Sequence, residues 1–212
     1  GVAGENTGII SNTVSNIVLN AHGENAKYFG GVVGQNSGLI DGATNSSDIN
    51  ITAVGGTYVG GIIGANTATG TLKGEIRNEG SVFGKSQVGG IIGQNDNDNV
   101  LQGTADNRLK VTNDGTVDAE EGGAAGIFYQ NNGDIEYADI SNNGVVNGGN
   151  KDGGTGGLFG INTGNITEST LTNSGTVVGG GIVGGLIGKN SGNVNNSSLA
   201  NTGTVIGTNN VG

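Results

Sequence analysis

The sequence predicts an all-β fold, a parallel β-helix (β-solenoid) of about seven coils with about 30 residues in each coil. Three observations predict it. Glycine occupies 47 of the 212 positions, which is typical of disordered or fibrous chains, and the presence of a period decides between the two. A motif recurs about every 30 residues, as in stacked repeats. The segments between the glycines are short and rich in Val, Ile and Thr, as strands are.

The repeat is clearest in VGGIIGQN, Val88–Asn95, which returns as VGGIIGAN at Val59–Asn66 and as VGGLIGKN at Val183–Asn190. Two apolar residues follow the second glycine of each copy, and an asparagine stands five places after that glycine. The seven copies place the starts of the coils near Gly1, Gly31, Gly61, Gly90, Gly126, Gly157 and Gly185. Residues 1–212 are therefore predicted to form a single solenoid domain.

Each unit contains three short segments that we predict to be strands. The first is the apolar run, and the second follows it as SGLI at Ser37–Ile40 or GDIEY at Gly133–Tyr137. The third has the form Asn-x-Gly-Thr/Ser-Val, as in NDGTV at Asn113–Val117. Gly, Asn, Asp and Ser separate the segments, as they do in turns. We expect a right-handed coil, because parallel β connections are almost always right-handed.

A residue that recurs at one place in the repeat forms a column along a solenoid, and the apolar pairs are expected to line the interior. Neighbouring residues of a strand point to opposite faces, however, and both members of a pair such as Ile91 and Ile92 are apolar. Either a bend at the glycines turns both inward, which we favour, or the outer stripe is covered by another molecule. The glycines are expected at corners, where a positive φ or a close approach of two backbones excludes a Cβ atom.

The recurring asparagines are expected to stack into a ladder in which side-chain amides bond from coil to coil. The predicted members are Asn6, Asn36, Asn66, Asn95, Asn131, Asn162 and Asn190. This ladder is the predicted structural site of the chain.

The charge is the next constraint on function. The formal net charge is −10, and 13 of the 18 acidic residues lie between Glu75 and Asp152. Only eight Lys or Arg residues are present, which argues against a nucleic-acid partner because binding a polyphosphate needs basic patches. We interpret the acidic middle as a source of solubility, with recruitment of cations or basic surfaces as the alternative.

Two irregular segments are candidates for ligand contact. DAEEGG, Asp118–Gly123, lies where the repeat spacing rises to 36 residues, which predicts an extra surface loop with Asp118, Glu120 and Glu121 as possible contact residues. GGNKDGGTGG, Gly148–Gly157, is the second. NDNDN, Asn95–Asn99, clusters oxygen ligands but lacks the glycine and the distal glutamate of an EF-hand loop, so we interpret it as a turn and predict no metal or cofactor.

The acidic residues do not indicate a catalytic site. Asp134 and Glu136 flank the second predicted strand and Asp114 lies in the turn of the third, so they occupy different phases of the repeat, whereas catalytic carboxylates must be held at a defined separation. His22 is the only histidine, and cysteine is absent. We therefore predict no catalytic residue and no enzymatic activity.

At the level of the whole motif, VGGLIGKNSGNV at Val183–Val194 and GGVVGQNSGLI at Gly30–Ile40 resemble the GLUG repeat. The resemblance covers all seven units. It departs from the pattern in the first unit, where Ala3 stands in the apolar pair, and in the fifth, where Ala125 and Tyr129 replace glycines. GLUG repeats occur in very large bacterial surface proteins, including filamentous-haemagglutinin-like adhesins and immunoglobulin A peptidases.

The resemblance implies an extracellular protein of the bacterial cell surface that has a β-solenoid fold. We expect a stalk segment of an adhesin that attaches to host or neighbouring cells, with a cell-surface glycan or protein as the partner and an outer-membrane protein as a secretion partner. The alternatives are direct ligand contact through the irregular loops, and the stalk of a secreted peptidase. The chain starts inside one motif and stops where the next would begin, and it has no signal peptide or apolar membrane-spanning run, so we expect a fragment of a longer protein.

Overall fold

A computed structural model describes residues 1–21, 27–52, 58–96, 100–149 and 153–212. Within these ranges every regular element is a strand, and all the strand pairs are parallel. The strands stack into a β-solenoid with about 30 residues per turn, so the predicted fold class is confirmed. Three sheets contain seven strands each, one strand per coil. We number the coils 1 to 7 from the glycines at which they start.

Sheets 1 and 2 each contribute one strand to every coil. Sheet 1 contains Ala3–Asn6, Val33–Asn36, Ile63–Asn66, Ile92–Asn95, Phe128–Asn131, Phe159–Asn162 and Ile187–Asn190. Sheet 2 contains Ile9–Ser15, Leu39–Asn45, Thr71–Asn78, Leu109–Asn113, Ala138–Asn142, Thr170–Asn173 and Ser198–Asn201.

Three further sheets complete the coils. Sheet 3 contains Leu19–Ala21, Ile49–Ile51, Val82–Gly84, Val117–Ala119, Val145–Asn147, Thr176–Gly179 and Val205–Gly207. Sheet 4 contains Tyr28–Gly30, Tyr58–Gly60, Val88–Gly89, Ala124–Ala125, Gly154–Gly156 and Ile182–Gly184. Sheet 5 is present from coil 4 onward and contains Val100–Gln102, Asp134–Glu136, Ile166–Thr167 and Val194–Asn195.

The coils therefore contain more strands than the three predicted. One reason is that the apolar motif holds two strands: Val88–Gly89 belongs to sheet 4 and Ile92–Asn95 to sheet 1, with a bend at Gly90 and Ile91 between them. Ile91 and Ile92 are both fully buried in the same apolar cluster. The bend thus resolves the question of the apolar pairs in favour of two inward-facing side chains.

The segment predicted as the second strand forms different elements in different coils. In coil 2, Leu39 and Ile40 open the long sheet 2 strand Leu39–Asn45, whereas in coil 5 the matching sequence Asp134–Glu136 is a separate strand of sheet 5. The backbone turns in both cases through a residue in the left-handed region, inside the sheet 2 strand in coils 1 to 3 and just before it in coils 5 to 7. These residues are Asn12, Gly42, Gly74, Tyr137, Glu168 and Asn196. A left-handed residue inside the strand makes a bulge, and a turn before it makes a corner.

The interior contains two separate apolar clusters. The larger lies between sheet 1 and sheets 2 and 5, and in it the rings of Phe128 and Phe159 stack with centroids 5.3 Å apart. The smaller lies between sheets 3 and 4, with Val82, Val88 and Val117 among its members. Each cluster continues from coil to coil, so each coil buries its apolar face against its neighbours.

Candidate functional site

The structure contains the predicted asparagine ladder at the end of the sheet 1 strands. In each step Nδ2 of one asparagine donates to Oδ1 of the asparagine in the next coil, over 2.8 or 2.9 Å. The steps join Asn6, Asn36, Asn66, Asn95, Asn131, Asn162 and Asn190. All of these side chains except Asn190 are buried. A hydrogen bond in a buried site is not weakened by competing water, so the ladder ties every coil to the next.

A second ladder, which the sequence analysis missed, runs along the end of the sheet 2 strands. Its bonds have the same geometry, with Nδ2 donating to Oδ1 of the next coil over 2.8 Å. The members are Asn45, Asn78, Asn113, Asn142, Asn173 and Asn201. We call the first set ladder 1 and this set ladder 2.

The local sequence explains why asparagine, and no other residue type, forms both ladders. The Nδ2 group also donates to a backbone carbonyl two residues ahead, for example from Asn131 to Gly133 over 2.8 Å and from Asn113 to Gly115 over 2.9 Å. The asparagine amide has two donor hydrogens and an acceptor oxygen, which together satisfy this turn carbonyl and both neighbouring coils. Most members of both ladders therefore stand in an Asn-x-Gly pattern, with Asn45, Asn66 and Asn95 as the exceptions, and this pattern could have revealed ladder 2 from the sequence.

The first glycine of each coil packs against ladder 2 across the interior. A Cβ atom placed on Gly126 would lie 2.6 Å from Oδ1 of Asn142, and one on Gly61 would lie 2.6 Å from Oδ1 of Asn78. The same contact recurs in coils 2 to 7, and it lies between the two apolar clusters. Of the two reasons predicted for the recurring glycines, a positive φ or a close approach, close approach applies at this position. A side chain there would displace the asparagine.

Ladder 2 begins at Asn45 in coil 2 and has no member in coil 1, because Ser15 stands where the other coils have asparagine. The Ser15 hydroxyl donates to the carbonyl of Gly31 over 2.7 Å and does not reach Asn45. Oδ1 of Asn45 is consequently buried without a hydrogen-bond partner among the described residues. A buried, unpartnered acceptor costs stability.

Ser15→Asn is therefore expected to stabilise the protein by about 1 kcal/mol, because the new Nδ2 group can donate to Oδ1 of Asn45. Urea unfolding followed by circular dichroism measures the change. Ser11→Asn, on an exposed position of the same strand, is the matched control and should leave the midpoint unchanged. Equal midpoints for Ser15→Asn and the wild type would contradict this account of the ladder.

The acidic segment 118–123 does not form the predicted extra loop. Asp118 belongs to the sheet 3 strand Val117–Ala119, and the backbone amides of Glu120 and Glu121 donate to the carbonyls of Gly84 and Lys85 in the coil below, over 3.0 and 2.8 Å. Glu121 also pairs with the ammonium group of Lys85 at 3.4 Å. The segment is a turn that stacks on the turn of coil 3, so its carboxylates are part of the regular surface.

The extra residues of coil 4 lie earlier in the coil. Asn95 and Asn113, the ladder members of coil 4, are 18 positions apart, whereas Asn131 and Asn142 of coil 5 are 11 apart. The insertion therefore falls between sheets 1 and 2, and its described part, Gly103–Arg108, connects Val100–Gln102 to Leu109.

Several of the acidic residues near the middle of the chain contact neighbouring coils. Arg77 contacts Asp114 at 2.8 Å and Glu79 at 3.2 Å, while Asp134 accepts a hydrogen bond from the backbone amide of Asn165 over 2.7 Å. Among the described residues no group of three or more His, Cys, Asp or Glu side chains could hold a metal ion. Of the carboxylates that the sequence analysis weighed as catalytic, Asp114 and Asp134 make contacts between coils.

A short column of aromatic rings covers the outside of coils 1 to 5. Tyr28 stacks on Tyr58 with centroids 6.2 Å apart, and Tyr58 lies 6.3 Å from the buried ring of Tyr129. The Tyr58 hydroxyl donates to Oε1 of Gln130 over 2.8 Å. Burial raises the pKa of Tyr58 and of Tyr129 above the ordinary tyrosine value, and the adjacent tyrosine raises each further.

Because the folded state favours the protonated phenols, the free energy of unfolding should be constant below about pH 10 and should fall as the pH rises above that value. Urea unfolding at pH 8 to 11 measures this. A variant with Tyr58→Phe and Tyr129→Phe should lose most of the fall, because neither position then titrates. A slope that is the same in this variant and in the wild type would contradict the assignment.

Three sequence-based interpretations concern positions outside the described residues. Asn97–Asn99 of the NDNDN segment, His22, and 150–152 of the glycine-rich segment are not among them. Nothing structural is concluded for these positions.

No protein-family model, curated protein or solved structure gives a significant match to this chain. The parts of the chain that the structure describes contain no helix that could cross a membrane. The resemblance to GLUG repeats therefore stays a prediction from the motif, and the hand of the coil stays a prediction as well.

Proposed function

We propose that this chain is a rigid stalk segment of a bacterial cell-surface adhesin that acts in attachment to host or neighbouring cells. The observation that carries the proposal is ladder 1, in which one asparagine bond joins each coil to the next from Asn6 to Asn190. This series of bonds opposes the separation of any two neighbouring coils along the sheet 1 side. Its stability is a sum of neighbouring-coil interfaces, which suits a part whose role is length and stiffness.

The surface location and the partners rest on the resemblance to GLUG repeats. A protein of this kind would present a glycan-binding or protein-binding domain to another cell, and it would use an outer-membrane protein for secretion. The peptidase alternative assigns the same stalk role to this chain and differs only in the domain that the stalk carries.

Direct ligand contact by this chain is the second candidate function. Asp118, Glu120 and Glu121 do not favour this candidate function, because they lie in a turn that stacks on the turn of coil 3 and not in a projecting loop. The observation that favours it is the insertion in coil 4, which leaves a cavity beside coil 3. That cavity is argued separately below.

The stalk proposal is tested by displaying the chain on a bacterium between a membrane anchor and a lectin domain of known specificity. The control replaces the chain with a flexible Gly/Ser sequence of about 30 residues, whose mean end-to-end distance of about 30 Å matches the length of the solenoid, so that the two spacers differ in stiffness and not in mean reach. We expect more cells to attach to a lectin-ligand surface under flow with the solenoid than with the flexible chain.

Two outcomes would count against the stalk. Equal attachment with the solenoid and the flexible chain would show that stiffness has no effect. Attachment to host cells by the displayed solenoid without the lectin domain would favour direct contact as the function.

A further inference from the structure

A cavity of about 360 Å³ lies between coils 3 and 4, where the insertion interrupts the repeat. Coil 3 contributes Thr71–Gly74 to its lining, and coil 4 contributes Val100, Gln102–Thr104 and Asn107–Leu109. Its volume falls in the range of small-molecule sites, roughly 300 to 1,000 Å³. The cavity is thus large enough for a ligand of the size of one sugar ring.

The pairing of the strands explains why the space is open. Thr71–Lys73 pairs with Leu39–Asp41 of coil 2, but the pairing of this strand with coil 4 begins only at Glu75. Val100–Gln102 is the edge strand of sheet 5 and pairs with coil 5. The two strand segments therefore face each other without a ladder of hydrogen bonds, and the inserted residues close the side of the gap.

The insertion is held in a defined conformation. The backbone amide of Asn107 donates to Oγ1 of Thr104 over 3.0 Å. The Arg108 guanidinium donates from Nε to Oδ1 of Asp139 over 2.8 Å. Its Nη2 donates to the carbonyls of Ala138 and Glu168 over 3.1 and 2.8 Å. Nη1 has no hydrogen-bond partner among the described residues.

The polar groups of the cavity have one sign of charge. Lys73 and Arg108 are its charged lining residues and the described lining includes no carboxylate, although the chain has a net charge of −10. Arg108 is already ion-paired with Asp139, at 2.8 Å. Lys73 has no ion pair within the described ranges. The unpaired Lys73 ammonium favours an anionic group, because hydrogen bonds between ions of opposite charge are the strongest. The Arg108 guanidinium reaches away from coil 3, to Asp139 and to the carbonyl of Glu168.

The remaining lining suits a sugar. Buried Leu72 and Leu109 form an apolar base, and the side chain of Val100 is 43 % exposed. The amides of Gln102 and Asn107 are exposed and can both donate and accept, as sugar hydroxyls do. An apolar surface for the C–H face of a ring, with amides at its rim, is the usual composition of a small polar-ligand site.

We propose that the cavity binds an acidic sugar residue, a uronic acid or a sialic acid, with its carboxylate on Lys73 and its ring against Val100. The proposal does not depend on the stalk function, because the coils stack in the same way whether or not the cavity binds a sugar. It places a contact surface at the interruption of the repeat in coil 4.

Isothermal titration calorimetry of the intact chain with glucuronate, N-acetylneuraminate, neutral glucose and N-acetylglutamate amide tests it. We expect the two acidic sugars to bind and glucose to bind at least tenfold more weakly. Lys73→Gln should weaken acidic-sugar binding about tenfold or more, because it removes a charge-assisted hydrogen bond. Lys110→Gln, at an exposed lysine of the adjacent sheet 2 strand, is the matched control and should bind as the wild type does.

Both substitutions are at exposed positions, and Asn107→Ala provides a second test that leaves the charge unchanged and should also weaken binding. Four results would overturn the proposal. The first is that neither acidic sugar binds at 10 mM, roughly the weak limit for a specific site, and the second is that glucose binds as tightly as the acidic sugars. The third is that Lys73→Gln and Lys110→Gln lose equal affinity. The fourth is that N-acetylglutamate amide binds and the sugars do not, which would make the site one for peptide carboxylates.

Discussion

Gly126→Ala is expected to destabilise the solenoid by about 3 kcal/mol or more. The added methyl group would overlap the backbone carbonyl of Gly157 in the next coil and would lie 2.6 Å from the side chain of Asn142. Neither neighbour can move freely, since the first is main chain paired with coil 7 and the second belongs to ladder 2. Urea unfolding, with circular dichroism as the signal, measures the effect.

Gly4→Ala is the matched control for this substitution. A Cβ atom on Gly4 would have no other heavy atom within 4 Å. The free energy of unfolding should therefore stay within about 0.5 kcal/mol of the wild-type value, as for most surface changes. Failure of Gly126→Ala to fold would agree with the steric account. Similar stabilities for the two variants would contradict it.

Asn142→Ala is expected to cost about 3 kcal/mol, because it breaks ladder 2 in the middle. Oδ1 of Asn173 loses its donor, the carbonyl of Gly144 loses the same Nδ2 group, and Nδ2 of Asn113 loses one acceptor. Each buried polar group left without a partner costs roughly 1 to 3 kcal/mol. The free energy of unfolding in urea measures the total loss.

Asn143→Ala, at the exposed neighbouring position, controls for removal of an asparagine side chain. Asn143 bonds to Asp114 and Ser174 at the surface, where such contacts contribute little. We expect a loss below about 1 kcal/mol for this control. A loss for Asn142→Ala no larger than that for Asn143→Ala would show that the ladder is not a major source of stability.

The spacing of one motif was enough to predict the architecture and ladder 1. The interval between successive VGGIIG motifs sets the coil length, and a residue at a constant phase, such as Asn66 or Asn95, must then form a column. The inward bend at Ile91 and Ile92 followed from the glycines beside them. These features depend only on which residues recur, and recurrence is visible in the sequence.

Other features depend on which strand pairs with which, and the spacing does not contain that information. The distance of 36 residues from Gly90 to Gly126 shows that coil 4 is longer, but the place of the extra residues follows only from the ladder positions Asn95 and Asn113. The extra length was assigned to Asp118–Gly123 because that irregular segment lies within the 36-residue interval. Its backbone bonds to Gly84 and Lys85 show that it has the regular path.

Ladder 2 was missed for a related reason. Asn113, and Asn142 in a looser copy of the same pattern, were assigned to the start of the third predicted strand. In the structure each is the last residue of a sheet 2 strand and points into the interior toward the glycine that starts the coil. A contact between two distant parts of the repeat has no local signal, although the shared Asn-x-Gly pattern was a clue.

The most direct test of the stalk account is a distance measurement between coils 1 and 7. The chain contains no cysteine, so Asn20→Cys and Ile206→Cys place two spin labels on exposed positions of one sheet 3 column, six coil steps apart. Six steps of about 4.8 Å separate the backbones by about 29 Å. Pulsed electron paramagnetic resonance should give one narrow distance distribution near this value, broadened only by the label linkers. A broad or multi-component distribution would show that the coils bend or separate, and it would contradict the rigid-stalk account.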